Sequence, residues 1–202
     1  MIENKILRNI ILIKCKKDNI EDLSENELEK VKDISLNKKN VSKQILDIDL
    51  SELNKIPNLE ILSLQNFEIN EQTINDIKKC KNLKVLHLET CNFNNADVFK
   101  IDNLKKIIIK YCKVKDWRKI YFPENVVINA REKIDLKEFN NIENIINLKL
   151  NNLTISNFKR ILNFENLKYL NIDGSIIDSN DIQSFMRKEI EFSHKKHSRP
   201  IE

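Results

Sequence analysis

The chain has 202 residues, with 35 Lys+Arg against 31 Asp+Glu, a formal net charge of +4 and 41% hydrophobic residues, enough for a sizeable core. Its single glycine, Gly174, excludes P-loops and dinucleotide-binding turns, which need several glycines to bring backbone N–H groups onto a phosphate. A sequence pI of 8.7 and charge spread along the chain fall short of the clustered basic patch expected of a nucleic-acid binder.

The chain opens MIENKILRNIILIKC, whose only unbroken apolar run is Ile10 to Ile13. A signal peptide needs about 7–15 apolar residues and a membrane helix about 20. An intracellular, cytoplasmic protein without membrane contact is therefore expected, with Cys15, Cys80, Cys91 and Cys112 as thiols. No pair of them has CxxC spacing, which excludes a zinc ribbon or redox motif.

From Leu7 onward one frame recurs: apolar, two any, apolar, any, apolar, two any, small or apolar, any, apolar. In chain order the copies are LRNIILIKCKK from Leu7, VKDISLNKKNV from Val31, LEILSLQNFEI from Leu59, LKVLHLETCNF from Leu83 and LKKIIIKYCKV from Leu104. A degenerate copy runs from Pro123 through Val126 and Ile128, and IINLKLNNLTI and LKYLNIDGSII follow from Ile145 and Leu167. Taking the second apolar site as marker gives Ile10, Ile34, Leu62, Leu86, Ile107, Val126, Leu148 and Leu170, spaced 24, 28, 24, 21, 19, 22 and 22 residues apart. The central apolar pair lies two residues apart and shares one face of a strand. One such strand cannot bury that face alone, but neighbours stacked in parallel bury a continuous core.

This frame resembles that of the leucine-rich-repeat family, LxxLxLxxNxL, over about residues 6–178. The resemblance implies an α/β solenoid of about 7–8 repeats, with a curved parallel β-sheet on the concave face and short helices and loops on the convex face. A single domain over 1–193 is expected. Ile182, Phe185, Met186 and Ile190 form a helical stripe that reads as a C-terminal capping helix over about 179–191, and 194–202 read as a basic, flexible tail. Among the returns, Ile74, Ile77 and Cys80 after Asn70, and Phe158, Ile161 and Leu162 after Ser156, have helical spacing. Residues 45–53, ILDIDLSEL, fit either a strand or a helix, with helix preferred.

The family places Asn, Cys or Thr at the ninth frame position, where the side chain bonds to loop backbone. Here the series is Cys15, Lys39, Phe67, Cys91, Cys112, Arg131, Leu153 and Ser175. The Asn ladder is thus expected to be missing, small thiols to take its place, and the frame to slip at Lys39 and Arg131, whose charges resist burial. With glycine so scarce, the left-handed turns fall to asparagine, with Asn94, Asn95, Asn140, Asn141 and Asn163 as candidates.

No catalytic constellation assembles from the sequence. His194 and His197 form HxxH near Glu191 in a solvated tail. His87 and Glu89 share a strand face, and Cys91 points to the other. Lys105, Lys106, Lys110, Lys113 and Lys115 cluster around Tyr111 and read as a solvated basic face.

Frame positions three, five and seven face outward on the concave sheet. The expected partner-binding residues are Ile61, Ser63, Gln65, Val85, His87, Glu89, Lys106, Ile108, Lys110, Tyr111, Lys149, Asn151, Tyr169, Asn171 and Asp173, with Asn125, Val127, Asn129 and Asn147 between them. Ile61, Val85 and Ile108 are expected side by side as an apolar patch. The resemblance implies a module that binds another protein; no catalysis, cofactor or metal is expected, and the chain is expected to be monomeric by itself. The alternative is a nucleic-acid binder using Lys106, Lys110 and the tail.

Overall fold

The computed structural model describes residues 2–19, 23–38, 49–93, 99–177 and 190–195. Helices α1 (Lys5–Cys15) and α2 (Glu25–Glu29) precede strands β1 (Asp33–Asn37) and β2 (Ile61–Gln65), and helix α3 (Glu71–Lys78) leads to β3 (Val85–Glu89) and β4 (Asn92–Phe93). Then follow β5 (Lys106–Lys110), β6 (Lys113–Val114), β7 (Asn125–Asn129), β8 (Lys133–Asp135), β9 (Asn147–Asn151), β10 (Thr154–Ser156), β11 (Tyr169–Asn171) and β12 (Glu191–Ser193).

Eight of these strands form one sheet in the order β1-β2-β3-β5-β7-β9-β11-β12. Every pairing is parallel, and the marker residues stay in register: Ile34, Leu62, Leu86, Ile107, Val126, Leu148 and Leu170 stand in one row, continued by Phe192. The alternation of buried and accessible residues along β2, β3, β5, β7 and β9 follows from the period of two. Behind the sheet, the returns contribute Phe99, Phe122, Phe139, Phe158 and Phe164 to one continuous core. Parallel pairs β4·β6 and β8·β10 line this return side; the sequence pattern did not announce them.

The first expected copy, from Leu7, is not a strand. Its residues form α1, because the Asn4 side chain caps the backbone N–H groups of Ile6 and Leu7, and Leu7 and Ile11 bury one helical face. A short apolar run such as Ile10–Ile13 satisfies either period, and the cap decides. The strand repeats therefore begin at β1. At the other end, Glu191, expected to close a capping helix, opens β12, an added rung held by its N–H to Lys168 O at 2.9 Å. Lys195 belongs to this ordered rung, since Gly174 N–H donates to Lys195 O at 2.8 Å. Residues 178–189, which hold most of the predicted helix, the tail from 196 and residues 39–48 lie outside the described residues. The end of the 45–53 segment enters a 3-10 helix, Ser51–Lys55.

α3 forms with Asn70 as its cap, accepting from Thr73 N–H at 2.9 Å. The later return, Phe158–Asn163, is a 3-10 helix that starts after Asn157 rather than Ser156.

Position eight of the frame turns five of the strands out of the sheet through left-handed backbone. Asn66, Thr90, Tyr111, Asn152 and Gly174 occupy it, with φ of 62°, 50°, 51°, 59° and 71°. The lone glycine thus takes a place that other repeats fill at steric cost. Of the five asparagines expected in such turns, Asn141 adopts positive φ, Asn140 and Asn163 do not, and Asn94 and Asn95 lie outside the described residues. The repeat of β7 lacks this turn: Ala130 is drawn inward and Arg131 stays exposed. This is the expected slip, confined to the turn, with β7 itself regular.

The ninth-position ladder survives in thiols and one hydroxyl. Cys112 Sγ accepts from Cys91 N–H and donates to Leu88 O, both at 3.4 Å. Ser175 Oγ accepts from Leu153 N–H at 3.0 Å and donates to Leu150 O at 2.6 Å. Cys15, placed in the same series, lies instead in α1 with Sγ 3.5 Å from Glu27 O. An asparagine ladder does exist, at the other end of the strands. Asn58, Asn82, Asn103 and Asn166 each stand just before the frame and donate to a carbonyl one repeat earlier: Glu29, Pro57, Lys81 and Glu143, at 2.9, 2.8, 3.4 and 2.6 Å. The recurring Asn-Leu pair was its signal.

Candidate functional site

The outward residues of the sheet fall into three rows. The first holds Asp33, Ile61, Val85, Lys106, Asn125, Asn147, Tyr169 and Glu191; the second holds Ser35, Ser63, His87, Ile108, Val127, Lys149 and Asn171; the third holds Asn37, Gln65, Glu89, Lys110, Asn129 and Asn151. This register corrects the expected patch. Ile61 and Val85 are neighbours, but Lys106 is next in their row, and Ile108 pairs with His87 on one side and Val127 on the other. The apolar residues make a diagonal band, Ile61–Val85 stepping to Ile108–Val127. Position alternates with row because frame position three is apolar in two repeats and position five in the next two.

Ile61 is 42% exposed, while Val85, Ile108 and Val127 are half-buried by their neighbours on the inner curve. Tyr111 stands at the lip of the band, 47% exposed, on left-handed backbone. A bulky side chain pays about 1–2 kcal/mol in that conformation. Tyr111→Asn is expected to raise the unfolding free energy by roughly 0.5–1 kcal/mol, read from urea denaturation. A fall would show that the ring packs productively in the free protein.

Charges along the strand entries are neutralised: Glu60 pairs with Lys84 at 2.9 Å and Lys32 at 4.0 Å, and Lys105 pairs with Glu124 at 2.8 Å. Lys106 and Lys110, flanking Ile108 on its own strand, form no ion pair among the described residues. Lys149 lies over the Tyr169 ring, 5.4 Å from its centroid.

Other predicted residues are engaged internally. Gln65 Oε1 accepts from Asn37 Nδ2 at 2.5 Å. Asn171 is only 9% exposed. Asp173 is a clasp for the last rung, accepting from Lys195 N–H at 2.6 Å, Asn171 Nδ2 at 2.8 Å and Ser193 Oγ at 3.0 Å. Burial pushes its carboxyl up, but these donors outweigh that and hold its pKa below the ordinary aspartate value. Asn171 and Asp173 therefore secure β12 rather than stand free for a partner. Asn151 remains on the third row, beside Asn129.

His87 Nε2 lies 3.6 Å from Glu89 Oε2. Burial lowers its pKa, Lys110 lowers it further, and Glu89 opposes both less strongly. Cys91 is buried and its Sγ lies 3.4 Å from Leu64 O, on the core side, so the structure does not bring it to His87. Among the described residues no cluster of three or more His, Cys, Asp or Glu is placed to hold a metal ion, and His197 lies outside them. No helix among them is long and apolar enough to cross a membrane.

An eight-stranded parallel sheet stacked rung on rung, with returns of 3-10 and α-helix behind it, defines a leucine-rich-repeat solenoid. No family model and no curated protein matches the sequence. Among solved structures, an internalin C2 from Listeria monocytogenes superposes with a TM-score of 0.57 at 14% identity, over 95% of this chain and 93% of that one. A second internalin from the same organism gives a TM-score of 0.54 at 14% identity, over 96% of this chain and 65% of that one, so the present chain spans just under two thirds of its length. At that identity the likeness is one of fold.

Proposed function

We propose that this chain is a non-catalytic binding module that holds a partner protein on the concave face of its sheet, in an inhibitory, regulatory or scaffolding role. The observation that carries this reading is the apolar band of Ile61, Val85, Ile108 and Val127 running through an otherwise polar face. An apolar strip rimmed by polar groups is the usual composition of an interface core and its rim. Tyr111 supports it, because an exposed aromatic kept on strained backbone serves contact better than stability. The thiols of Cys91 and Cys112, hydrogen-bonded to carbonyls of the preceding strand, suit a reducing compartment and a cytoplasmic location.

The test is affinity capture from the native cell with the wild-type chain and with Val85→Asp/Ile108→Asp. The double variant is expected to lose the captured protein with only a modest fall in thermal midpoint, because both side chains lie on the outward face of the sheet and are only half-buried. Capture that survives the double variant places the interface elsewhere.

A further inference from the structure

The band has a shape that selects its occupant. It crosses four strands, three steps of about 4.8 Å, so it is about 14 Å long. It runs across the strands, and Lys106 and Lys110 stand on either side of it, two residues before and two after Ile108. Four residues of strand separate their α-carbons by about 13 Å. An α-helix with its side chains is about 10–12 Å across, and 14 Å of helix is about nine residues, or two and a half turns. An extended peptide laid along the band would instead present its apolar residues with period two.

Charge makes the same selection. Lysines at the strand entries are paired with Glu60 and Glu124, whereas Lys106 and Lys110 pair with no carboxylate among the described residues. Glu89 stands beside Lys110 in register but is turned toward His87, 3.6 Å away. Two ammonium groups that pair with no carboxylate among the described residues, flanking an apolar strip, call for a ligand with carboxylates on both sides of an apolar stripe.

Resting on the concave-face reading, we propose that the occupant is an acidic amphipathic helix of the partner protein, lying across the strands with its apolar stripe on Ile61, Val85, Ile108 and Val127 and Asp or Glu side chains reaching Lys106 and Lys110. Helix-in-groove docking uses apolar anchors at i, i+3, i+4 and i+7, an axial span of about 10 Å that fits within the band. The flanking ion pairs fix the register and speed the encounter.

The test uses a phage-displayed library of random linear 16-residue peptides, panned against the full chain, with Ile108→Asp and Lys106→Ser/Lys110→Ser as comparison proteins whose thermal midpoints are checked first. The expected enriched peptides carry helical apolar spacing flanked by Asp or Glu. Their binding is lost on Ile108→Asp, falls at least about ten-fold on the double lysine variant, and weakens with added salt. Peptides that need Ile108 but ignore the lysines, or whose apolar residues alternate with period two, overturn the acidic helix while leaving the concave-face reading intact. Peptides that bind all three proteins alike, or no enrichment over the Ile108→Asp protein, overturn the proposal, and the capture experiment then decides the wider reading separately.

Discussion

Phe139→Ala is expected to cost about 3–5 kcal/mol of unfolding free energy, a large share of the roughly 5–15 kcal/mol available to a domain. Phe139 is fully buried, and its ring centroid lies 4.8 Å from that of Phe122 and 5.5 Å from that of Trp117. These rings come from consecutive returns, so one side chain joins repeats that the sheet joins on the other face. Truncation removes the apolar area and leaves a cavity that strands on one side and a 3-10 turn on the other cannot close. Phe139→Leu fills most of that space and is expected to cost about 1 kcal/mol. Urea denaturation reads both, and the slope of the transition carries further information. An unchanged slope means that the solenoid unfolds as one unit, and a shallower one means that the repeats after β7 unfold separately. A cost below about 1 kcal/mol for the alanine would show that the return side is loosely packed.

The sheet was legible because its signal is redundant. Each LxL pair is weak evidence alone, but seven copies from Ile34 to Leu170 at spacings of 19 to 28 residues admit one stacked arrangement, and the register places those markers in one row. The ends were less legible because they lack that redundancy. Leu7 to Ile13 reads as a repeat by frame and folds as a helix, capped by the side chain of Asn4 and burying Leu7 and Ile11 on one face. β12 carries no frame; Phe192 enters the marker row because the edge of β11 offers unpaired backbone groups and Asp173 holds the segment that follows. The candidate site was legible residue by residue but not as a pattern. Frame position says which side chains face outward, whereas the adjacency of Val85 with Ile61, and of Ile108 with Val127, follows only from the strand register. Whether an outward polar group is free also escapes the sequence: Gln65 and Asp173 face the concave side and spend their hydrogen bonds on Asn37 and on the last rung.

The N-terminal helix depends on one carboxylate, and Glu52→Ala is expected to cost roughly 2–3 kcal/mol. Glu52 is 8% exposed, and its two oxygens accept from Glu3 N–H at 2.9 Å, Asn4 N–H at 2.6 Å and Lys55 Nζ at 2.6 Å. The two backbone donors directly precede α1, so the carboxylate anchors the cap to the 3-10 helix before β2. Its removal strands those donors and frees Leu7 and Ile11 to leave the core. Burial raises the carboxyl pKa, but the donors from Glu3, Lys55 and Asn4 together outweigh it, and the folded value lies below the ordinary glutamate value. The sign of the pH effect follows. With the folded pKa depressed, the contribution is fully present above the unfolded value of about 4.3 and is lost as pH falls through the folded one. Wild-type stability should therefore decline on acidification below about pH 4.3 more steeply than that of Glu52→Gln, which keeps an acceptor but does not titrate. Amide exchange at Ile6, Leu7 and Ile11 distinguishes local from global loss. Faster exchange there, with core amides of β3 and β5 unchanged, means that α1 detaches as a unit and the sheet stands without it. Equal acceleration throughout means that the cap and the solenoid fold together. Parallel acid titrations for wild type and Glu52→Gln would remove the anchoring role altogether.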